Sequence, residues 1–282
     1  MGRKINLEIS EDNLSDKINA ECELSILIGM DSLAYMLSDA NRQIHLLRNY
    51  ELNTNAAALS DEIGAVLLQD EYMRRQYKNV RVSIATKNYT LIPSRLYNPL
   101  EKKSYLQPLT QLSDQLVVRV DELQPFVAKN VYGIDASLFD TTTKFLPNGR
   151  IYHAGTAFLT ALHQKNKAEG YRIFLQVDTG VLMVALMDRK DLIFINSFEW
   201  QSAKDFVYFL LLVFDQFTLD ADEVPVFVAG KLVEDSEIYR LLFRYVRNIQ
   251  FVTPPEVIRL SEKWNAPTPH LFFNLFGTLL CN

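Results

Sequence analysis

Ile26-Leu27-Ile28-Gly29-Met30-Asp31 and Ile173-Phe174-Leu175-Gln176-Val177-Asp178 are two apolar runs, each ending on an aspartate. Each reads as a buried strand, and the same order of elements comes after both. After the first run, Leu33 to Leu37 reads as a second strand, Ser38-Asp39-Ala40-Asn41 as a turn and Gln43 to Tyr50 as a third strand. A helix comes next, with Ser60 as N-cap and Asp61 and Glu62 in its first turn, where carboxylates suit the helix dipole. Val80 to Ala85 is the fourth strand.

The second run repeats this. Val181 to Met187 and Leu192 to Phe198 read as strands flanking the Asp188-Arg189-Lys190-Asp191 turn. Ser202 and Asp205 have capping-box spacing, and Phe206, Phe209, Leu210, Val213 and Phe217 mark one helical face. Val224 to Ala229 is the fourth strand. The two aspartates lie 147 residues apart, and Asn49-Tyr50-Glu51-Leu52 matches Ser197-Phe198-Glu199-Trp200 at 148. Strand, strand, strand, helix, strand, stated twice at nearly one offset, predicts an α/β chain built by internal duplication.

Outside the repeat, residues 1–23 read as a polar lead-in. The first half runs over 24–168 and carries an excursion at about 87–148, rich in proline, before Arg150-Ile151-Tyr152 rejoins it. The second half runs over 169–282, with the boundary in the polar stretch Lys165 to Gly170. It continues through a helix around Ile238 to Val246 and a strand at Ile249 to Val252, and it closes on the apolar tail His270 to Leu280. An exposed tail of that composition would be insoluble, so it docks on the chain's own core or mediates self-association.

Composition bounds the function. With 282 residues, 48% apolar and 22% charged, the chain is an ordinary packed protein of one or two domains. A net charge of −5 with scattered cations argues against nucleic acid and against an anionic membrane as partners. Met1 to Glu23 has no apolar core of a signal peptide, and no run is long enough to span a bilayer, which reads as cytoplasmic. Cys22 and Cys281 read as reduced thiols, with a terminal disulfide as the alternative. Four scattered histidines do not make a zinc site. Gly-x-Ser-x-Gly, His-Glu-x-x-His and Gly-x-x-x-x-Gly-Lys are absent.

The duplicated unit resembles the ribonuclease-H-like half of the actin, sugar kinase and heat-shock chaperone ATPase superfamily. Within it the chain is similar to an uncharacterised bacterial family with an actin-like ATPase fold. The resemblance implies two mixed-sheet halves with flanking helices, facing each other across a cleft that holds Mg-ATP. It also implies a phosphate loop after the first strand of each half, where glycine admits backbone N–H groups to phosphate and aspartate orients magnesium water. The matching stretches are Asp31-Ser32-Leu33-Ala34-Tyr35, which has no glycine, and Asp178-Thr179-Gly180-Val181-Leu182. Leu33 and Tyr35 would crowd a phosphate. The family's adenosine loop matches Val228-Ala229-Gly230-Lys231-Leu232, where Lys231 is a phosphate contact or a solvated surface lysine.

The candidate nucleotide-binding residues are therefore Asp31, Ser32, Asp178, Thr179, Gly180, Gly230 and Lys231. Asp31 and Asp178 also read as turn caps. Only 10 glycines serve the whole chain, about half the usual ~7%. The expectation is a degenerate fold without ATP hydrolysis, with no cofactor, acting as a scaffold or protein-interaction module with an unidentified protein partner. The alternative is a divergent ATPase or kinase binding Mg-ATP between the halves. A two-metal nuclease is disfavoured because the fourth strands end in Ala85-Thr86-Lys87 and Ala229-Gly230-Lys231, without a carboxylate.

Overall fold

The computed structural model describes residues 5–52, 59–110, 115–165, 169–265 and 269–282. Two compact units divide the chain. The first holds residues 1–160, 256–267 and 275–282, and the second holds 161–255 and 268–274.

In chain order the first unit begins with β1 (Ile5–Ser10), α1 (Leu14–Lys17), β2 (Glu23–Ile28), β3 (Ser32–Ser38) and β4 (Ile44–Glu51). It continues with α2 (Leu59–Gln69) and β5 (Asn79–Ile84). The excursion then makes β6 (Tyr89–Pro93), β7 (Leu116–Leu123), β8 (Ala128–Asp135) and α3 (Ala136–Phe145), and β9 (Gly149–His153) and α4 (Ala154–Lys165) follow. The main sheet has the order β1-β4-β3-β2-β5-β9. Its β1 to β2 side is antiparallel, and β2, β5 and β9 are parallel. β2 and β3 are buried almost throughout, which is why they read as apolar runs rather than as alternation.

The polar lead-in is not a lead-in. Ile5, Leu7 and Ile9 alternate with Asn6, Glu8 and Ser10, a period of two that makes β1 an edge strand on β4. The excursion is a separate three-stranded antiparallel sheet, β6-β8-β7. Leu106, Val118 and Val131 form its own small core. Ser60 lies inside α2, not at its cap, since the helix already includes Leu59.

The second unit holds β10 (Tyr171–Asp178), β11 (Val181–Asp188), β12 (Asp191–Glu199), α5 (Ala203–Gln216), β13 (Val226–Gly230), α6 (Glu237–Leu242) and β14 (Ile249–Phe251). Its sheet has the order β12-β11-β10-β13-β14. That is the order of β4-β3-β2-β5-β9 in the first unit, with the same parallel and antiparallel pairs. Ser202 and Asp205 close the full capping box at the start of α5. Phe206, Leu210 and Val213 of α5 pack on Leu175, Val184 and Val228.

The compact units do not follow the chain boundary read at residue 168. α4 runs on as one helix from Ala154 to Lys165, so the division at 160/161 falls within it. Residues 166–168, in the polar stretch where that boundary was placed, lie outside the described residues. The apolar tail forms the last helix, α7 (Phe273–Leu280). In the first unit Leu275, Phe276 and Leu279 are buried, Thr278 Oγ1 lies 2.6 Å from Ser83 Oγ, and Arg81 Nε donates to the Cys281 carbonyl at 2.7 Å. The tail's apolar side chains, except half-buried Leu271, are thus buried within its own chain. Cys22 and Cys281 are both buried free thiols. No helix among the described residues is long and apolar enough to cross a membrane.

Candidate functional site

In an open sheet of this kind, ligands bind beyond the carboxyl ends of the parallel strands. In the second unit that edge is where β10 and β13 end. β10 and β13 run parallel with Val177 opposite Gly230, and the Lys231 N–H donates to the Val177 carbonyl at 2.8 Å. Gly230 has φ +83°, and a Cβ there would sit 2.1 Å from the Val177 carbonyl oxygen. Only glycine allows this approach. It delivers the Lys231 side chain onto the β10–β11 turn.

There the Asp178 carboxylate accepts the Thr179 N–H at 2.8 Å, and Gly180 (φ +69°) completes the turn into β11. Lys231 Nζ lies 3.2 Å from Asp178 Oδ1 and 3.3 Å from Thr179 Oγ1. The fold thus brings Asp178, Thr179, Gly180, Gly230 and Lys231 together. The Lys231 ammonium is partly exposed and lies against the Asp178 carboxylate.

Beside this turn is a pocket of about 630 Å³, lined by Trp200, Gln201, Ser202, Ala203 and Lys204 from the start of α5 and by Ser236, Glu237 and Ile238 from the start of α6. The Trp200 backbone N–H donates to the Gly180 carbonyl at 3.1 Å, which ties the pocket to the Asp-Thr-Gly turn. The buried Trp200 indole N–H has no hydrogen-bond partner among the described residues.

The first unit has a turn of equal length with different chemistry. Ala85 N–H donates to the Ile28 carbonyl at 2.8 Å, as Lys231 does to Val177, and Leu52 N–H donates to the Asp31 carbonyl at 2.9 Å, as Trp200 does to Gly180. Ile28 pairs with Leu33 as Val177 pairs with Leu182, a shift of 149 residues rather than 147. The counterpart of Asp178 is therefore Gly29, that of Gly180 is Asp31, and that of Lys231 is Ala85. The first loop does contain a glycine, but aspartate and glycine have exchanged places. Asp31 and Ser32 share this turn. Leu33 and Tyr35 point into the core, where the Tyr35 hydroxyl donates to buried Asp70 at 2.9 Å, so neither crowds the loop.

A second polar cluster was not singled out in the sequence. Asp121 of β7 accepts the Tyr132 hydroxyl at 2.9 Å, the His153 N–H at 2.7 Å and the Thr156 hydroxyl at 2.7 Å. It joins the inserted sheet to the start of α4. Burial pushes its carboxyl up to about 6, against the pull of those three donors. His153 Nε2 lies 3.1 Å from the Thr86 carbonyl and Nδ1 accepts the Gly155 N–H at 3.0 Å, which assigns the proton to Nε2 and makes the ring the cap of α4. Burial holds His153 down to about 4, the Thr86 bond opposing it. Alternation along β7 sets Asp121 on the face of exposed Arg119, so the sequence carried no local signal that this carboxylate is buried.

The model of the family described as "protein of unknown function (DUF3822)" matches residues 11–249. The chain belongs to the DUF3822 family. No curated protein matches this DUF3822 chain in sequence. Among solved structures it is similar to a Bacteroides thetaiotaomicron protein with actin-like ATPase fold and unknown function, with TM-score 0.77 and 19% identity over 87% of this chain and 95% of that one. It is also similar to a chain of the PilM–PilN type IV pilus biogenesis complex, with TM-score 0.62 and 14% identity over 92% and 97%. A third likeness is to the ethanolamine utilization protein EutJ from Carboxydothermus hydrogenoformans, with TM-score 0.50 and 11% identity over 94% and 91%. This DUF3822 chain therefore has the actin-like ATPase fold with two domains.

Proposed function

We propose that this chain is a non-catalytic protein-interaction module, bacterial and cytoplasmic, on a duplicated actin-like ATPase fold. The observation that carries the reading is the pair of phosphate-loop positions. In one unit the carboxylate is matched by an internal cation, Lys231 on Asp178. In the other, glycine and alanine stand at the equivalent places, Gly29 and Ala85. A phosphate-binding, metal-holding loop needs open backbone N–H groups and an unmatched carboxylate. The similarity to a chain of a pilus biogenesis complex supports an interaction role.

A second reading is a divergent nucleotide site that uses Asp31, Ser32, Asp178, Thr179, Gly180, Gly230 and Lys231 with Mg-ATP. The pocket beside Gly180 favours keeping it. Isothermal titration with Mg-ATP and with ADP separates the two. No heat at millimolar nucleotide is the expected result. Micromolar binding that Asp178→Asn abolishes would replace the first reading by the second.

A further inference from the structure

The three most exposed large hydrophobic side chains among the described residues all belong to the inserted sheet. They are Leu100 at 94%, Val127 at 70% and Leu96 at 62%. They gather at one end of it. Ser94 N–H donates to the Val127 carbonyl at 2.8 Å, which sets Val127 beside the turn that carries Leu96. The Tyr105 hydroxyl accepts the Asn98 N–H at 2.8 Å and donates to the Leu96 carbonyl at 3.0 Å, and the Asn98 side chain accepts the Leu100 N–H at 3.1 Å. The leucines therefore stand on a braced platform. Val127 itself is held at φ 49°, ψ 44°, a conformation that a β-branched residue seldom adopts.

The charge around them is positive. Residues 94–103 carry three exposed cations, Arg95, Lys102 and Lys103, against the single carboxylate of Glu101, while the whole chain is −5. Lysine is depleted in protein–protein interfaces, and leucine is under-represented among their energetic anchors. The two tyrosines nearby, Tyr97 and Tyr105, are stacked on each other inside the platform. Leucine with lysine and arginine is instead the composition that enters the headgroup region of an anionic bilayer. The apolar side chains pass the phosphates and the cations stay with them.

We propose that this end of the inserted sheet is a peripheral binding surface for anionic lipid. Such binding is independent of whether nucleotide binds in the second unit.

The test is sedimentation of the full chain with vesicles of about 30 mol% phosphatidylglycerol in phosphatidylcholine, and with phosphatidylcholine alone, at about 0.05 M and 0.5 M salt. The expected result is recruitment to the anionic vesicles at low salt only. Lys102→Gln with Lys103→Gln should weaken partitioning about 30-fold, from ~1 kcal/mol per basic residue. Leu96→Ser with Leu100→Ser should weaken recruitment to the anionic vesicles without changing the thermal melt, since both side chains are exposed. Absence of recruitment to the anionic vesicles would overturn the proposal and leave an acidic peptide as the occupant to seek. Recruitment that neither double substitution changes would overturn it equally.

Discussion

Asp121→Asn is the substitution whose outcome the buried cluster specifies most sharply. The folded pKa of Asp121 is about 6 against an ordinary value of 3.8, so the fold disfavours its ionised form. The stability this group contributes is fully present below pH 3.8 and is lost as pH rises through about 6. That displacement is worth about 3 kcal/mol at neutral pH and above. An asparagine keeps the shape. Its oxygen can still accept from His153 N–H and Thr156, and its NH₂ faces the Tyr132 hydroxyl, whose proton can turn to the Ile151 carbonyl 3.3 Å away. Deducting about 1 kcal/mol for the rearranged bond leaves a stabilisation of about 1–2 kcal/mol at pH 8.

The same substitution should uncover His153. Its folded pKa is about 4 against 6.5, so its contribution is present above pH 6.5 and is lost as pH falls through about 4. In the wild type the contributions of these two groups oppose each other across that interval and nearly cancel. In Asp121→Asn the histidine contribution is no longer offset, and stability should fall by about 3 kcal/mol more than in the parent on acidification through that range. The chain has two tryptophans, Trp264 in the first unit and Trp200 in the second. Urea unfolding followed by fluorescence in a Trp200→Phe background therefore reports the unit that holds Asp121. A variant less stable than its parent at pH 8, with the parent's pH profile unchanged, would refute the reasoning. Asp121→Ala, which strands three buried donors, should instead lose at least about 3 kcal/mol at every pH.

Gly277→Ala should loosen the docked tail. The added Cβ would lie 2.1 Å from the Ala157 carbonyl oxygen, and helix backbone cannot yield there; a loss of at least about 3 kcal/mol and new binding of an apolar dye are expected. Gly230→Ala meets both a left-handed backbone and the Val177 carbonyl, and should unfold the second unit at clearly lower urea, as read by Trp200 fluorescence. Lys231→Met, by contrast, removes a partly exposed ion pair and should change stability by no more than about 0.5 kcal/mol in the same melt. Cys281, its thiol pushed up to about 12 by burial, should react with a thiol reagent only at the rate of unfolding. Prompt labelling of Cys281 in the native protein would contradict its placement.

The repeated order of strands was legible because a buried β2 or β10 must be apolar at nearly every position, and because the capping box of α5 is a local device. The match of Asn49 to Leu52 with Ser197 to Trp200 survives in the strand registers, where Tyr50 and Phe198 hold equivalent places opposite Leu33 and Leu182. β1 was hidden because an edge strand buries only one face, leaving Asn6, Glu8 and Ser10 to make the stretch look polar. The inserted sheet was hidden by prolines and short turns, which break every local period.

What the sequence determined by itself, then, was the order of elements and the residue types available at each loop. Aligning the two halves by their aspartates misplaced the first loop by two residues. A turn is defined by which carbonyl meets which N–H across neighbouring strands, and that pairing is non-local. Only the tertiary structure decided that Gly29 answers to Asp178, that Gly230 steers Lys231 onto that carboxylate, and that Asp121, Tyr132 and His153 share one buried site. Those contacts join residues far apart in the chain, and their partners were chosen by the packing of sheets and helices, not by spacing.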